Sequence, residues 1–357
     1  MRIDRVAEAT YVRGVPHFAS TMSRTREAPP GAPIPGVPVS AAARPGATHP
    51  GAHPGAMSAF EWVLLFLLAV IWGGSFFFNK ILLGVFEPLT IVLGRAGLAA
   101  VSLLIVIHLP GGGLPRAWPA WRVFAAMSVL NNLIPFALIL WGQKHIASGL
   151  AAILNATTPL FAAVLAHLLA GERLTAHRLA GVVIGMAGVA LMVGPGVLAE
   201  GLGGDVLPQL AVLGAAASYG LAALYGRRLA ALKIAAPTAA AGQLLCTTLV
   251  VLPFVLVLDR PWTVPMPGWQ VWASLAAIAL LSTAFGYVIF FRLMSGAGGV
   301  NATLVTLLVP VSALLLGTLV LGEAFTLRQA AGMAVILLGL VVTDGRAAAR
   351  LFRRWER

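Results

Sequence analysis

The chain has 357 residues, of which 59% are hydrophobic and only 10% charged. That leaves too little polar surface to coat a soluble globule of this length, and a mean hydropathy of +0.91 makes the lipid bilayer the expected solvent. The formal net charge of +12 is scattered over short loops and two tails rather than gathered on one face, which argues for anionic lipid and against nucleic acid.

Residues 1–56 hold nine prolines and six glycines and no apolar run able to span or pack, so a disordered tail is expected there. The tail also lacks the apolar core of a signal peptide. Met57 stands directly before the first apolar helix and is an alternative start of the protein. Ten apolar segments follow, over roughly 60–80, 88–109, 121–142, 148–170, 176–195, 206–226, 237–258, 269–292, 299–321 and 327–344. Each approaches the ~20 residues that a helix needs to cross the hydrocarbon. Proline and glycine separate them, at Glu87-Pro88, 110–113, Gly194-Pro195-Gly196, 261–267 and 296–299.

In the first segment Trp72, Ser75 and Asn79 recur at helical spacing on one face, and Gly73 with Gly74 permits a close neighbour. A polar face at mid-membrane must meet protein or water, so it serves either a substrate cavity or a hydrogen-bonded helix contact. Arg95, in the second segment, is the most deeply placed charge. It reads either as a strut for backbone carbonyls or a carboxylate such as Glu87, or as the cation that receives a carboxylate or phosphate on a substrate. The third segment sets Asn131 and Asn132 beside Pro135, and the fourth sets Asn155, Thr157 and Thr158 beside Pro159. A proline frees the carbonyl one turn earlier, either for a ligand amine or simply as a kink.

Gly171-Glu172 closes the fourth segment, and Thr175 is placed to cap the fifth, so Glu172 reads as a turn or capping residue. Gly181 and Gly185 then form a close-packing stripe, used either within the bundle or between protomers of a homodimer. Tyr219 in the sixth segment and Tyr287 in the eighth offer hydroxyls and ring faces away from the span ends. The single cysteine, Cys246, lies in the seventh, so no intrachain disulfide forms. Pro310 with Thr303, Thr306 and Ser312 repeats in the ninth segment the theme of the fourth. Glu323 and Gly332 likewise repeat Glu172 and Gly181.

That repetition is systematic. Aligned without a gap, residues 149–192 and 300–343 match at Pro159/Pro310, Ala162/Ala313, Gly171/Gly322, Glu172/Glu323, Thr175/Thr326, Gly181/Gly332 and Gly188/Gly339, 151 positions apart. The fold expected is an all-α membrane protein of ten transmembrane helices in two five-helix repeats, 58–195 and 206–344, followed by a basic tail at 345–357. An odd number of spans per copy inserts the second copy upside down. Placing both termini in the cytoplasm leaves only Lys80, Lys144, Arg260, Arg328 and Arg95 of the 24 lysines and arginines off the cytoplasmic side.

The early Ile71-Trp72-Gly73-Gly74-Ser75, Arg95 in the second helix, the polar and proline-bearing fourth helix, and the Gly-Glu-x-x-Thr-x-x-x-x-x-Gly junction before helices 5 and 10 resemble the EamA-type permeases of the drug/metabolite transporter superfamily. The resemblance covers about 58–344. It implies a single-chain carrier in a bacterial cytoplasmic membrane, commonly an exporter of amino acids or related small metabolites. Its central cavity would be lined mainly by helices 1, 3, 4, 6, 8 and 9. It names no substrate.

Trp72, Ser75, Asn79, Arg95, Asn131, Asn155, Tyr219 and Tyr287 are therefore the candidate substrate-binding residues. Pro159, Pro310, Glu172, Glu323, Gly181 and Gly332 are the structural ones. The chain lacks Gly-x-Ser-x-Gly, His-Glu-x-x-His and a mid-span Asp or Glu, so an intramembrane enzyme is not expected, and neither a cofactor nor a metal is called for. A passive channel, a membrane receptor and an exporter of drug-like compounds are the alternatives. With every carboxylate near a span end, zwitterions or anions are expected ahead of cationic drugs. Proton coupling is left open.

Overall fold

The computed structural model describes residues 57–193 and 206–344. The expectations for 1–56, for the Gly194-Pro195-Gly196 turn and for the 345–357 tail lie outside the described residues. Those residues form helices and no strand. Among the described residues nine helices are long and apolar enough to cross a membrane: α1 (Ala59–Leu83), α2 (Pro88–His108), α3 (Trp118–Gln143), α4 (Ser148–Ala170), α5 (Ala176–Val193), α6 (Val206–Leu229), α7 (Ala236–Asp259), α8 (Trp269–Gly296) and α10 (Leu327–Asp344). The tenth, α9 (Val305–Leu319), has 15 residues and is preceded by the separate turn Gly299–Ala302.

The ninth apolar segment, expected over roughly 299–321, forms Gly299–Ala302 and α9 with a turn at Thr303–Leu304 between them. Polar side chains there bond back to their own turns, Asn301 Nδ2 to the Ala297 carbonyl and Thr306 Oγ1 to the Thr303 carbonyl, which competes with a continuous helix. α4 is interrupted in the same way at Ala156–Thr157, two residues before Pro159. Proline cannot donate to the Asn155 carbonyl, and the Thr158 hydroxyl does so instead at 2.7 Å. α3 and α8 widen locally into π-helix, at Ser128–Leu133 just ahead of Pro135 and at Ala277–Phe285. Ends are capped by local chemistry: Ser58 and Glu61 form a capping box on α1, and Thr326 and Gln329 exchange hydrogen bonds at the start of α10.

Helix partners obey a two-fold relation. α1 packs on α8 and α9, while α6 packs on α3 and α4; α2 pairs with α7, and α5 with α10. The close approaches confirm it residue by residue. A Cβ added at Gly73 would run into Ser312 and Ala313 of α9, and one at Gly220 would run into Phe161 and Ala162 of α4. Ala313 and Ala162 are repeat mates, so Gly73 and Gly220 are equivalent, and with them Trp72 and Tyr219, and Lys80 and Arg227. At the α5–α10 crossing Gly181 lies on the Gly339 carbonyl and Gly188 on the Gly332 carbonyl, a pairing that maps onto itself when the repeats are exchanged. The glycine stripe of α5 is thus used inside the chain, with Gly185 against Leu160.

Candidate functional site

The deepest polar assembly lies where α2, α3, α7 and α8 meet. Arg95 extends from α2, and its guanidinium lies 3.9 Å from the centre of the Phe136 ring, while Nε donates to Thr283 Oγ1 at 2.8 Å. Thr283 sits in the π-helical stretch of α8 and donates onward to the Ile278 carbonyl, a five-residue reach that the widened turn allows. Arg95 is within electrostatic reach of both Tyr219 and Tyr287. Among the described residues the ion pairs are Lys144–Glu87 and Arg227–Glu172, so no carboxylate there neutralises Arg95. Glu87, a sequence-level candidate partner, is taken by Lys144, because Glu87 stands at the helix end near the α3–α4 connection.

Tyr287 continues the network. Asn131 Nδ2 donates to the Tyr287 hydroxyl and to Gln243 Oε1, each at 3.2 Å, and the tyrosine hydroxyl donates to Asn132 Oδ1 at 3.3 Å. Asn132 Nδ2 then donates to Thr247 Oγ1 at 3.1 Å. The π-helical turn of α3 places both asparagines towards α7 and α8. Gln243, Thr247, Thr283 and Phe136 escaped the sequence reading. A lone glutamine at mid-span in α7 was the one available signal, since an amide at that depth has to find a partner.

The other predicted residues are distributed as follows. Trp72 Nε1 donates to the Ser282 carbonyl at 3.1 Å and its ring tilts against Phe290, so it closes α1 onto α8. Ser75 donates to the Trp72 carbonyl of its own helix. Tyr219 is partly buried and packs against both large apolar clusters of the bundle. Asn155 stands at the break in α4 with its Oδ1 buried and unpartnered. Asn79 belongs to a separate group: its Nδ2 donates to Gln143 Oε1 at 2.8 Å, near the start of α4. Pro159 and Pro310 lie within the two interrupted helices, α4 and α9.

Glu323 and Glu172 stand near opposite ends of α4. Both Glu323 oxygens accept the Ser148 amide, at 2.8 and 3.0 Å, and Oε1 also accepts its hydroxyl. Glu172 pairs with Arg227 on the far side. No group of three His, Cys, Asp or Glu among the described residues is placed to hold a metal ion.

The model of the EamA-like transporter family matches residues 60–194 and again 207–343. The chain belongs to that family. The double match covers both helix repeats, and with it the drug/metabolite transporter superfamily and a multi-pass membrane transporter are established. Among relatives, the uncharacterized transporter YvbV of Bacillus subtilis is 25% identical over 81% of this chain and 92% of its own. Protein PecM of Dickeya dadantii is 26% identical over 78% and 90%. The uncharacterized inner membrane transporter YedA of Escherichia coli is 26% identical over 79% and 90%. A crystal structure 20% identical in sequence aligns with a TM-score of 0.57 over 84% of this chain and all of that one, a likeness of fold alone. Within the family fold, Arg95 is, among the described residues, the charged side chain placed farthest from the ends of its span.

Proposed function

We propose that this EamA-family transporter exports a small metabolite bearing a carboxylate, an amino acid or a derivative, by alternating access across a bacterial cytoplasmic membrane, with both termini in the cytoplasm. The observation that carries the reading is the un-neutralised Arg95 inside a span. A cation at mid-span costs about 2.5–3.5 kcal/mol of insertion free energy. One threonine hydroxyl and one ring face offset only part of that, and a bidentate carboxylate supplies the rest when substrate is bound. The unpartnered Asn155 Oδ1 is an acceptor suited to an amine, and the rings of Tyr219, Phe136 and Tyr287 supply apolar walls. The cytoplasmic placement of the termini rests on the lysine and arginine distribution.

The test is counterflow in liposomes with amino acids and their esters. Arg95→Gln should weaken transport of the acid by about ten- to hundredfold, the equivalent of about 1.5–3 kcal/mol, and abolish the preference of acid over ester. The contacts to Thr283 and Phe136 favour a second reading, in which Arg95 is a strut between α2, α3 and α8. In that case Arg95→Gln lowers detergent stability and leaves acid–ester discrimination intact.

A further inference from the structure

The two repeat-mate glutamates, counterparts in sequence, are in different states. α4 runs about 34 Å from Ser148 to Ala170, so Glu323 and Glu172 mark opposite faces of the bundle. At the Glu323 face the carboxylate is seated on the first residue of α4. Ser148 and Gln143 beneath it are fully buried. Gln143 Nε2 donates to Ser148 Oγ and to the Phe76 carbonyl, Asn79 donates to Gln143, and Lys80 Nζ donates to the Gln143 and Ile146 carbonyls. One chain of hydrogen bonds thus ties α1, the α3–α4 connection and the α9–α10 connection together, and both repeats contribute. Every residue of 148–154 is buried.

At the other face the matching glutamate is held differently. Glu172 has Arg227 as its partner, on the helix end equivalent to Lys80. The sequence counterpart of Ser148 is Gly299, which opens the turn before α9. α4 approaches this face with 161–165 only half-buried. A small-residue difference separates the two faces as well. Gly317 leaves the space that Glu323 occupies, since a Cβ there would lie 2.5 Å from Glu323 Oε2. Its repeat mate is Ala166, so by repeat symmetry a carboxylate docking at the Glu172 face would meet a methyl where Glu323 meets none.

We infer that Glu323 and Glu172 are twin latches of the transport cycle, engaged one at a time. In the state described, Glu323 closes its face by docking on α4 while Arg227 holds Glu172 away from the segment that begins at Gly299. In the opposite state Glu172 docks on that segment and Glu323 is released towards Lys80. The methyl of Ala166 makes the second latch the weaker one, so the Glu323-closed state is the resting state. This inference rests on the carrier reading and deepens it by naming the groups that choose which side is open.

Hydrogen–deuterium exchange of the full-length protein in lipid nanodiscs, without substrate, reads both latches at once. Glu323→Gln should speed exchange across Ser148–Asn155 by about tenfold and slow it across Gly299–Ala302, as Glu172 engages. Ala166→Gly trims one buried methyl but leaves the Glu323–Ser148 and Arg227–Glu172 contacts in place, and should shift the same two segments in the same directions. Adding Glu172→Gln to either variant should cancel the slowing at Gly299–Ala302. Faster exchange at Ser148–Asn155 with no response at Gly299–Ala302 in either variant would reduce Glu323 to a static cap and overturn the proposal. No response at either segment would overturn it equally. The readout needs no substrate: reciprocal exchange in a protein that moves no metabolite would contradict the carrier reading alone, and normal counterflow without reciprocity would contradict the latches alone.

Discussion

The two faces of this bundle are built from repeat-related segments and nevertheless differ. On one, a carboxylate, a buried serine, a glutamine and an asparagine form a continuous seal between the repeats. On the other, the matching carboxylate is held in an ion pair with both partners more than a third exposed. Sequence symmetry therefore supplies two possible closures, and the described structure forms the one at Glu323. An inverted duplication is useful to a transporter because exchanging the conformations of the two halves opens a central site to alternate sides.

The largest effect is expected where the faces share a pivot. A Cβ at Gly188 would lie within 3 Å of backbone atoms of α10, so Gly188→Leu must push α5 and α10 apart and should destabilise the fold by about 1–3 kcal/mol. Thermal unfolding in detergent reads this directly. Gly97→Ala, where the added methyl meets only the Thr248 side chain at ordinary contact distance, is the control that should be tolerated.

A smaller, asymmetric effect separates the glutamates. Glu323→Gln removes charge from three hydrogen bonds between a half-buried carboxylate and a buried helix start and should cost about 1–2 kcal/mol. Glu172→Gln removes a solvent-screened pair and should cost no more than about 1 kcal/mol, a difference that shrinks further in high salt for the wild-type reference. Equal melting shifts for the two substitutions would remove the distinction between the faces.

The duplication was legible because proline, glycine and glutamate mark turns and breaks, and those are fixed by local backbone chemistry. The partners of those residues were not legible. Glu323 caps α4 from 175 positions away, and no local rule points from a turn glutamate to a helix of the other repeat. Helical spacing placed Asn79 on the face of Trp72 and Ser75, but spacing names a face and not the neighbour on it, and Gln143 is the neighbour. Arg95 was visible as a charge deep in an apolar segment; Thr283 and Phe136 became its partners only through the π-helical turn of α8 and the fold of α3 onto α2. The break before α9 was hidden because its residues are apolar enough to continue a helix, and the side-chain bonds of Asn301 and Thr306 decide otherwise.

Paired spin labels test the central claim most directly. In a Cys246→Ala background, one pair at His145 and Ala324 reports the Glu323 face, and a second at Arg173 and Ser295 reports the Glu172 face; all four positions are exposed. Upon Glu323→Gln the distance between the first pair should lengthen and that between the second should shorten, in the same population of molecules. Movement of one pair without the other would contradict a machine whose two faces are alternative closures of one symmetric bundle.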